Sequence, residues 1–155
     1  METRTTTHYH HCQTNLATPL IFAAIAAVAI AGWMLFAPAK LPVAILIGPL
    51  AIAAIAVAIF STFTTTVTES QLIVAFGLGI MRRRVALADI VRAERTSVPW
   101  WYGIGVKLNP GFITYMVAAG PAVAITQAKG MAVRIATDDA DALLAALAQA
   151  GVRTA

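Results

Sequence analysis

The chain has 155 residues, 59% of them hydrophobic and 12% charged, with a formal net charge of +4. Soluble domains are typically about a quarter charged, so this composition is at odds with a wholly soluble protein. The sequence pI is about 9.7, but so small a net charge argues against nucleic acid as a partner, and tethering to an anionic bilayer already accounts for a basic surface.

Residues 1–16 read as a polar N-terminal tail containing His8, His10, His11 and Cys12. These four are weak candidates for a zinc, copper or nickel site, since imidazole and thiolate are suitable donors. Adjacent His10 and His11 point apart on an extended chain, and the sequence holds no other His or Cys. A structural site wants four ordered ligands, so no metal and no other cofactor is expected. The single cysteine cannot form an intramolecular disulfide, consistent with a reducing compartment.

Two stretches without an ionisable residue follow, at 17–37 and 41–60. About twenty helical residues rising about 1.5 Å each match a hydrocarbon core of roughly 30 Å. The sequence therefore predicts two transmembrane helices, reversed through Pro38-Ala39-Lys40. Small residues at Ala23, Ala27, Ala31, Ala54 and Ala58 would let the two approach closely. Ala37-Pro38-Ala39 resembles a signal cleavage site, but the preceding apolar run exceeds the usual core of such a signal. Nine of the eleven Lys and Arg residues lie C-terminal to the second run. The positive-inside rule then predicts a multi-pass protein of the cytoplasmic (inner) membrane with both termini cytoplasmic.

From residue 61 the texture becomes that of short strands. Ser61 to Thr68 is rich in β-branched residues, Gln71 to Phe76 is apolar, and Gly77-Leu78-Gly79 offers a tight turn. Further runs follow at Ile80 to Ala86, Ile90 to Val98, Gly103 to Leu108, Phe112 to Ala118, Ala122 to Gln127 and Met131 to Ala136. They are separated by Asn109-Pro110-Gly111, Gly120-Pro121 and Lys129-Gly130. Met131, Val133 and Ile135 alternate with Ala132, Arg134 and Ala136, as in a half-buried strand. Thr137-Asp138-Asp139 suits a helix N-terminus, and Ala140, Leu143, Leu144 and Leu147 fall at helical spacing, predicting a helix at 138–150 ended by Gly151. Residues 61–151 thus predict about seven antiparallel strands in a partly open barrel with one C-terminal helix.

The order of several short segments carries a resemblance. Val67-Thr68, Phe76-Gly77, Arg82-Arg83, Leu87-Ala88-Asp89-Ile90, Trp101-Tyr102-Gly103-Ile104-Gly105, Tyr115, Ala122-Val123-Ala124-Ile125 and Thr137-Asp138-Asp139 with Leu143 together resemble the bacterial PH-domain membrane proteins, over about ninety residues and the preceding apolar pair. The resemblance implies a pleckstrin-homology-like barrel joined to a transmembrane hairpin, acting as a binding or assembly module without enzymatic activity. The chain departs from the family pattern at Val106-Lys107, where Arg is common, and at Ala140, where Pro is common.

Two segments are candidate lipid- or partner-binding sites. In Arg82-Arg83-Arg84, strand geometry places Arg82 and Arg84 on one face and Arg83 on the other. They are either ordinary solvated charge or, if the 77–79 turn faces the bilayer, a contact for anionic lipid headgroups. In Trp100-Trp101-Tyr102 the aromatics cannot all share one core. Either Trp101 fills the barrel while Trp100 flanks a loop, or the pair marks a contact. No catalytic residues are expected: the chain lacks Gly-x-Ser-x-Gly, a phosphate-binding loop and His-Glu-x-x-His, and its acids fall mostly at turns and at the helix start. The function expected is a membrane-anchored, non-catalytic binding or scaffold module whose barrel meets a protein partner or an anionic lipid surface. Self-association through barrel edges is a further option, and the alternative role is a small accessory subunit of a membrane transporter or membrane enzyme complex.

Overall fold

A computed structural model describes residues 7–36, 42, 44–77 and 79–155. Among them are nine strands and three helices: β1 (Thr7–Thr14), α1 (Ala17–Phe36), α2 (Ala44–Phe60), β2 (Thr62–Thr68), β3 (Gln71–Phe76), β4 (Met81–Ala86), β5 (Ile90–Val98), β6 (Gly105–Asn109), β7 (Phe112–Met116), β8 (Gly120–Gln127), β9 (Ala132–Ala136) and α3 (Ala140–Gln149).

The helical part corrects the expected pair of spans. α1 has 20 residues, about 30 Å of helix, and is long and apolar enough to cross a membrane. α2 has 17 residues, with Pro49 inside it. That is about 26 Å, short of the hydrocarbon thickness, and proline removes one internal hydrogen bond. A multi-pass arrangement with two transmembrane helices is therefore not supported. The expected Pro38-Ala39-Lys40 reversal lies outside the described residues. α1 and α2 form an apolar arm in which Phe22, Ala23 and Ala26 share a groove with Leu50, Ala53, Ala54 and Val57.

Residues 7–14 are not a free polar tail. β1 pairs antiparallel with β2, with His10 opposite Thr66, Cys12 opposite Thr64 and Thr14 opposite Thr62. The ladder runs on to the arm itself, where the Asn15 N–H donates to the Ser61 carbonyl at 2.8 Å. The whole arm is thus an insertion between two paired strands, and its two ends meet at one point of the β module. A polar inner face of Tyr9, His11 and Gln13 hides this strand from any hydropathy pattern.

Two sheets replace the expected seven-stranded antiparallel barrel. The first has the order β1-β2-β3-β4, and the second β5-β8-β9-β7-β6. In the second, β9 lies between β8 and β7 and runs parallel to β7, with Thr114 opposite Arg134 and Tyr115 opposite Ile135. The PH-like reading is corrected on this ground: consecutive strands do not simply pair in a meander. Apart from β1, the strands lie close to the expected runs, but Gly120-Pro121, expected as a turn, opens β8 and pairs with Val98 and Ser97; periodicity marks which face is buried and not which neighbour is paired.

The core lies between the sheets. Phe63, Val67, Leu72, Val74 and Phe76 from the first face Tyr115, Val123, Ile125, Val133 and Ile135 from the second, and α3 adds Leu143 and Leu147. Asp139 stands at the N-cap position of α3 but makes no side-chain capping bond. Its carboxylate accepts a hydrogen bond from the Tyr9 hydroxyl at 3.2 Å instead. After α3 the chain returns along β5, where the Ala93 N–H donates to the Arg153 carbonyl at 2.9 Å and the Ala155 N–H donates to the Ala93 carbonyl at 3.1 Å. That covers one edge of the second sheet. Among the described residues, β4 and β6 are each paired on one side only.

Candidate functional site

The end of the β module that carries the arm is built from three segments. Gly77, at φ +54°, closes β3 against the last turn of α2, and a Cβ there would sit 2.6 Å from the Ala58 carbonyl oxygen. Ile104, just before β6, lines a groove of about 270 Å³ with Thr18, Ile21, Phe22, Ala56 and Phe60. Asn15 is the third. Its side-chain amide donates to the Val117 carbonyl, its Oδ1 accepts from the Ala17 N–H at 2.8 Å, and its own N–H reaches Ser61. The buried side chain thereby ties the entry of α1 to the end of β7 in the second sheet, while the backbone of the same residue ties it to Ser61, just before β2.

Around this end the surface is apolar. Trp100, Trp101 and Tyr102 form a single 3-10 turn, ending two residues before Ile104. Trp100 is 78% exposed and Trp101 70%, their rings edge-to-face at 6.0 Å. Of the two alternatives for Trp101, the structure places its ring on the surface, and Tyr102 is the residue that packs inward, against Val98, Met116, Ala122 and Ala136. Ile80 and Met81, next to the Gly77 turn, are exposed as well. Arg82 lies beside Gly79, and the Lys107 ammonium beside Gly103.

The three arginines divide by strand alternation. Arg82 and Arg84 lie opposite Ala75 and Ile73 and are exposed. Arg83 lies opposite Val74, on the face that points into the module, and its Nε is enclosed without a hydrogen-bond partner among the described residues. Tyr115 shares its surroundings: burial raises the phenol pKa, and the Arg83 charge works in the opposite direction. Ile80, Met81, Arg82, Arg83, Val106 and Tyr115 line a cleft of about 330 Å³ between the open edges of β4 and β6. The ion pairs found among the described residues join His11 to Asp138 and Asp139, Arg92 to Glu94, and Arg95 to Asp141. None involves Arg82, Arg83 or Arg84.

The weak metal candidates are not brought together. His8, His10 and Cys12 are exposed, and His10 Nδ1 lies 3.0 Å from the Thr66 hydroxyl. His11 turns to the other face, with its Nε2 2.7 Å from Asp138. Among the described residues no group of three potential ligands converges. The clamp that His11 and Tyr9 make on Asp138 and Asp139 was invisible in the sequence, as was the role of Asn15. Each joins residues more than a hundred positions apart, and no local pattern marks them.

No protein-family model matches the chain, and no curated protein does.

Proposed function

We propose that this chain is a membrane-anchored, non-catalytic β module that seats its arm-bearing end on an anionic bilayer surface. The observation that carries this reading is the exposed Trp100–Trp101 pair, with Ile80 and Met81, at the same end as the apolar arm. Tryptophan favours the headgroup level, where its ring has apolar surroundings and its N–H stays wet. Both ends of the arm are held at one point of the β module, because the Asn15 N–H donates to the Ser61 carbonyl, so an arm that meets the bilayer keeps this end of the module close to the surface. Most of the Lys and Arg residues are on the β module, which supports the cytoplasmic side.

Charge adds a graded contribution. A basic residue near an anionic surface gains about 1 kcal/mol, an effect that fades within a Debye length of about 8 Å. Arg82 and Lys107 lie beside the turns at this end. Arg84 is two residues further along β4, about 7 Å farther by strand rise, and gains less.

The test uses the full chain with Trp33→Phe, reconstituted in phosphatidylglycerol-containing nanodiscs, so that Trp100 and Trp101 alone fluoresce. Bromine placed shallow in the acyl chains is expected to quench them more strongly than bromine placed deep, with poor access for aqueous iodide. Free iodide quenching with no effect of brominated lipid would refute the seating. A second reading, the accessory subunit, is favoured by the small-residue groove between α1 and α2, which a helix of another membrane protein could fill.

A further inference from the structure

The cleft between β4 and β6 does more than expose charge. We infer that the β4 edge accepts an acidic, extended segment of a partner protein, which adds to the first sheet as a further strand. This does not depend on the bilayer seating proposed above.

Four observations converge on it. Among the described residues β4 pairs with β3 only and β6 with β7 only, so each presents a row of backbone donors and acceptors to the cleft, the standard template for strand addition. The cleft has apolar walls in Ile80, Val106 and Tyr115. β4 carries three consecutive cations that pair with no carboxylate among the described residues. Within the cleft, Arg83 is half-buried and its Nε lacks a partner among the described residues, so the guanidinium is incompletely satisfied and an incoming carboxylate meeting its accessible part is a favourable partner.

The same charges decide what can occupy the edge. A second copy pairing β4 with β4 would set arginine against arginine, and like charges directly opposite are unfavourable. An acidic strand reverses that sign. Register gives its pattern. Residues facing Met81, Arg83 and Val85 share the inward face, and those facing Arg82 and Arg84 the outward one. The fitting core sequence is therefore apolar, acid, acid, acid, apolar. The Arg83-facing acid enters the cleft, and the two outer acids meet Arg82 and Arg84.

The experiment measures fluorescence anisotropy of a dye-labelled, end-capped Thr-Val-Glu-Glu-Glu-Val-Thr peptide with the full chain in neutral phosphatidylcholine nanodiscs. Saturable one-to-one binding is expected. Methylating every second backbone amide, in each of the two phases, should weaken binding at least tenfold in one phase, because charge is retained while pairing is blocked. Arg83→Gln and, on the opposite wall, Val106→Glu should each weaken it about tenfold with the near-ultraviolet circular dichroism unchanged. Two wall variants are used so that misfolding of one leaves the other to decide. Equal binding of both methylated peptides, or of both variants, would overturn the inference. So would absence of saturable binding; protection of Arg83 from phenylglyoxal by phosphatidylglycerol discs would then give the arginines to the bilayer. Either outcome leaves the tryptophan quenching test of the seating unaffected.

Discussion

Replacing Asn15 by Ala removes a buried side chain that joins the entry of the arm to the second sheet, and leaves the backbone bond to Ser61 in place. Asn15 is 8% exposed, and Val117, whose carbonyl it serves, is fully buried. Deleting the amide leaves that carbonyl unsatisfied, at about 1–3 kcal/mol. The lost Oδ1 acceptor for the Ala17 N–H resembles the loss of a helix cap, at about 1 kcal/mol. Together these give an expected destabilisation of about 2–4 kcal/mol, a large share of the roughly 5–15 kcal/mol that holds a domain folded. Asn15→Asp separates the two parts, since it keeps the acceptor for Ala17 but turns a carboxylate oxygen toward the Val117 carbonyl. It should cost at least as much as Asn15→Ala. The assay is urea unfolding of the full chain in mild detergent, followed by near-ultraviolet circular dichroism, with unchanged denaturant dependence. An Asn15→Ala unfolding free energy within about 0.5 kcal/mol of the unaltered protein, the ordinary range of surface changes, would refute the junction role. A near-normal Asn15→Asp would refute the Val117 bond in particular.

Phe76→Ala should cost about 3–5 kcal/mol in the same unfolding assay, because its ring is buried among Phe63 at 4.8 Å, Phe60 at 5.9 Å and Tyr115 at 6.3 Å. Gly77→Ala should lose about 1–2 kcal/mol from left-handed backbone alone, and more from the close Ala58 carbonyl, read as a lowered unfolding midpoint. Tyr9→Phe should flatten the fall of stability at alkaline pH. Burial first, and then the Asp139 charge, raise the Tyr9 pKa well above its ordinary value, so the folded chain keeps a proton that the unfolded chain gives up above about pH 10. Stability is then fully present below that pH and declines as pH rises. Tyr115, also raised by burial, is common to both proteins, so the difference between their unfolding midpoints from pH 9 to 11.5 isolates Tyr9.

What the sequence determined by itself was local. The Val133–Ile135 alternation, the Asn109-Pro110-Gly111 turn and the helical spacing of Leu143 and Leu147 all mark elements that exist, because strand, turn and helix preferences act over a few residues. The apolar length of α1 is equally local. Alternation also separated Arg83 from Arg82 and Arg84. The two alternatives for Trp101 are decided by the 3-10 turn of residues 100–102, which rotates successive side chains by about a third of a circle and sends Tyr102 inward. Pairing was decided elsewhere. Whether β9 lies beside β7 or β6, and whether Thr7–Thr14 is a tail or a strand, depends on surfaces that exist only once distant segments have met. The β4–β6 cleft and the Asn15 junction belong to that second kind. Each is made by backbone edges and carbonyls whose partners lie far along the chain, and no periodicity in a single strand records which neighbour it will have.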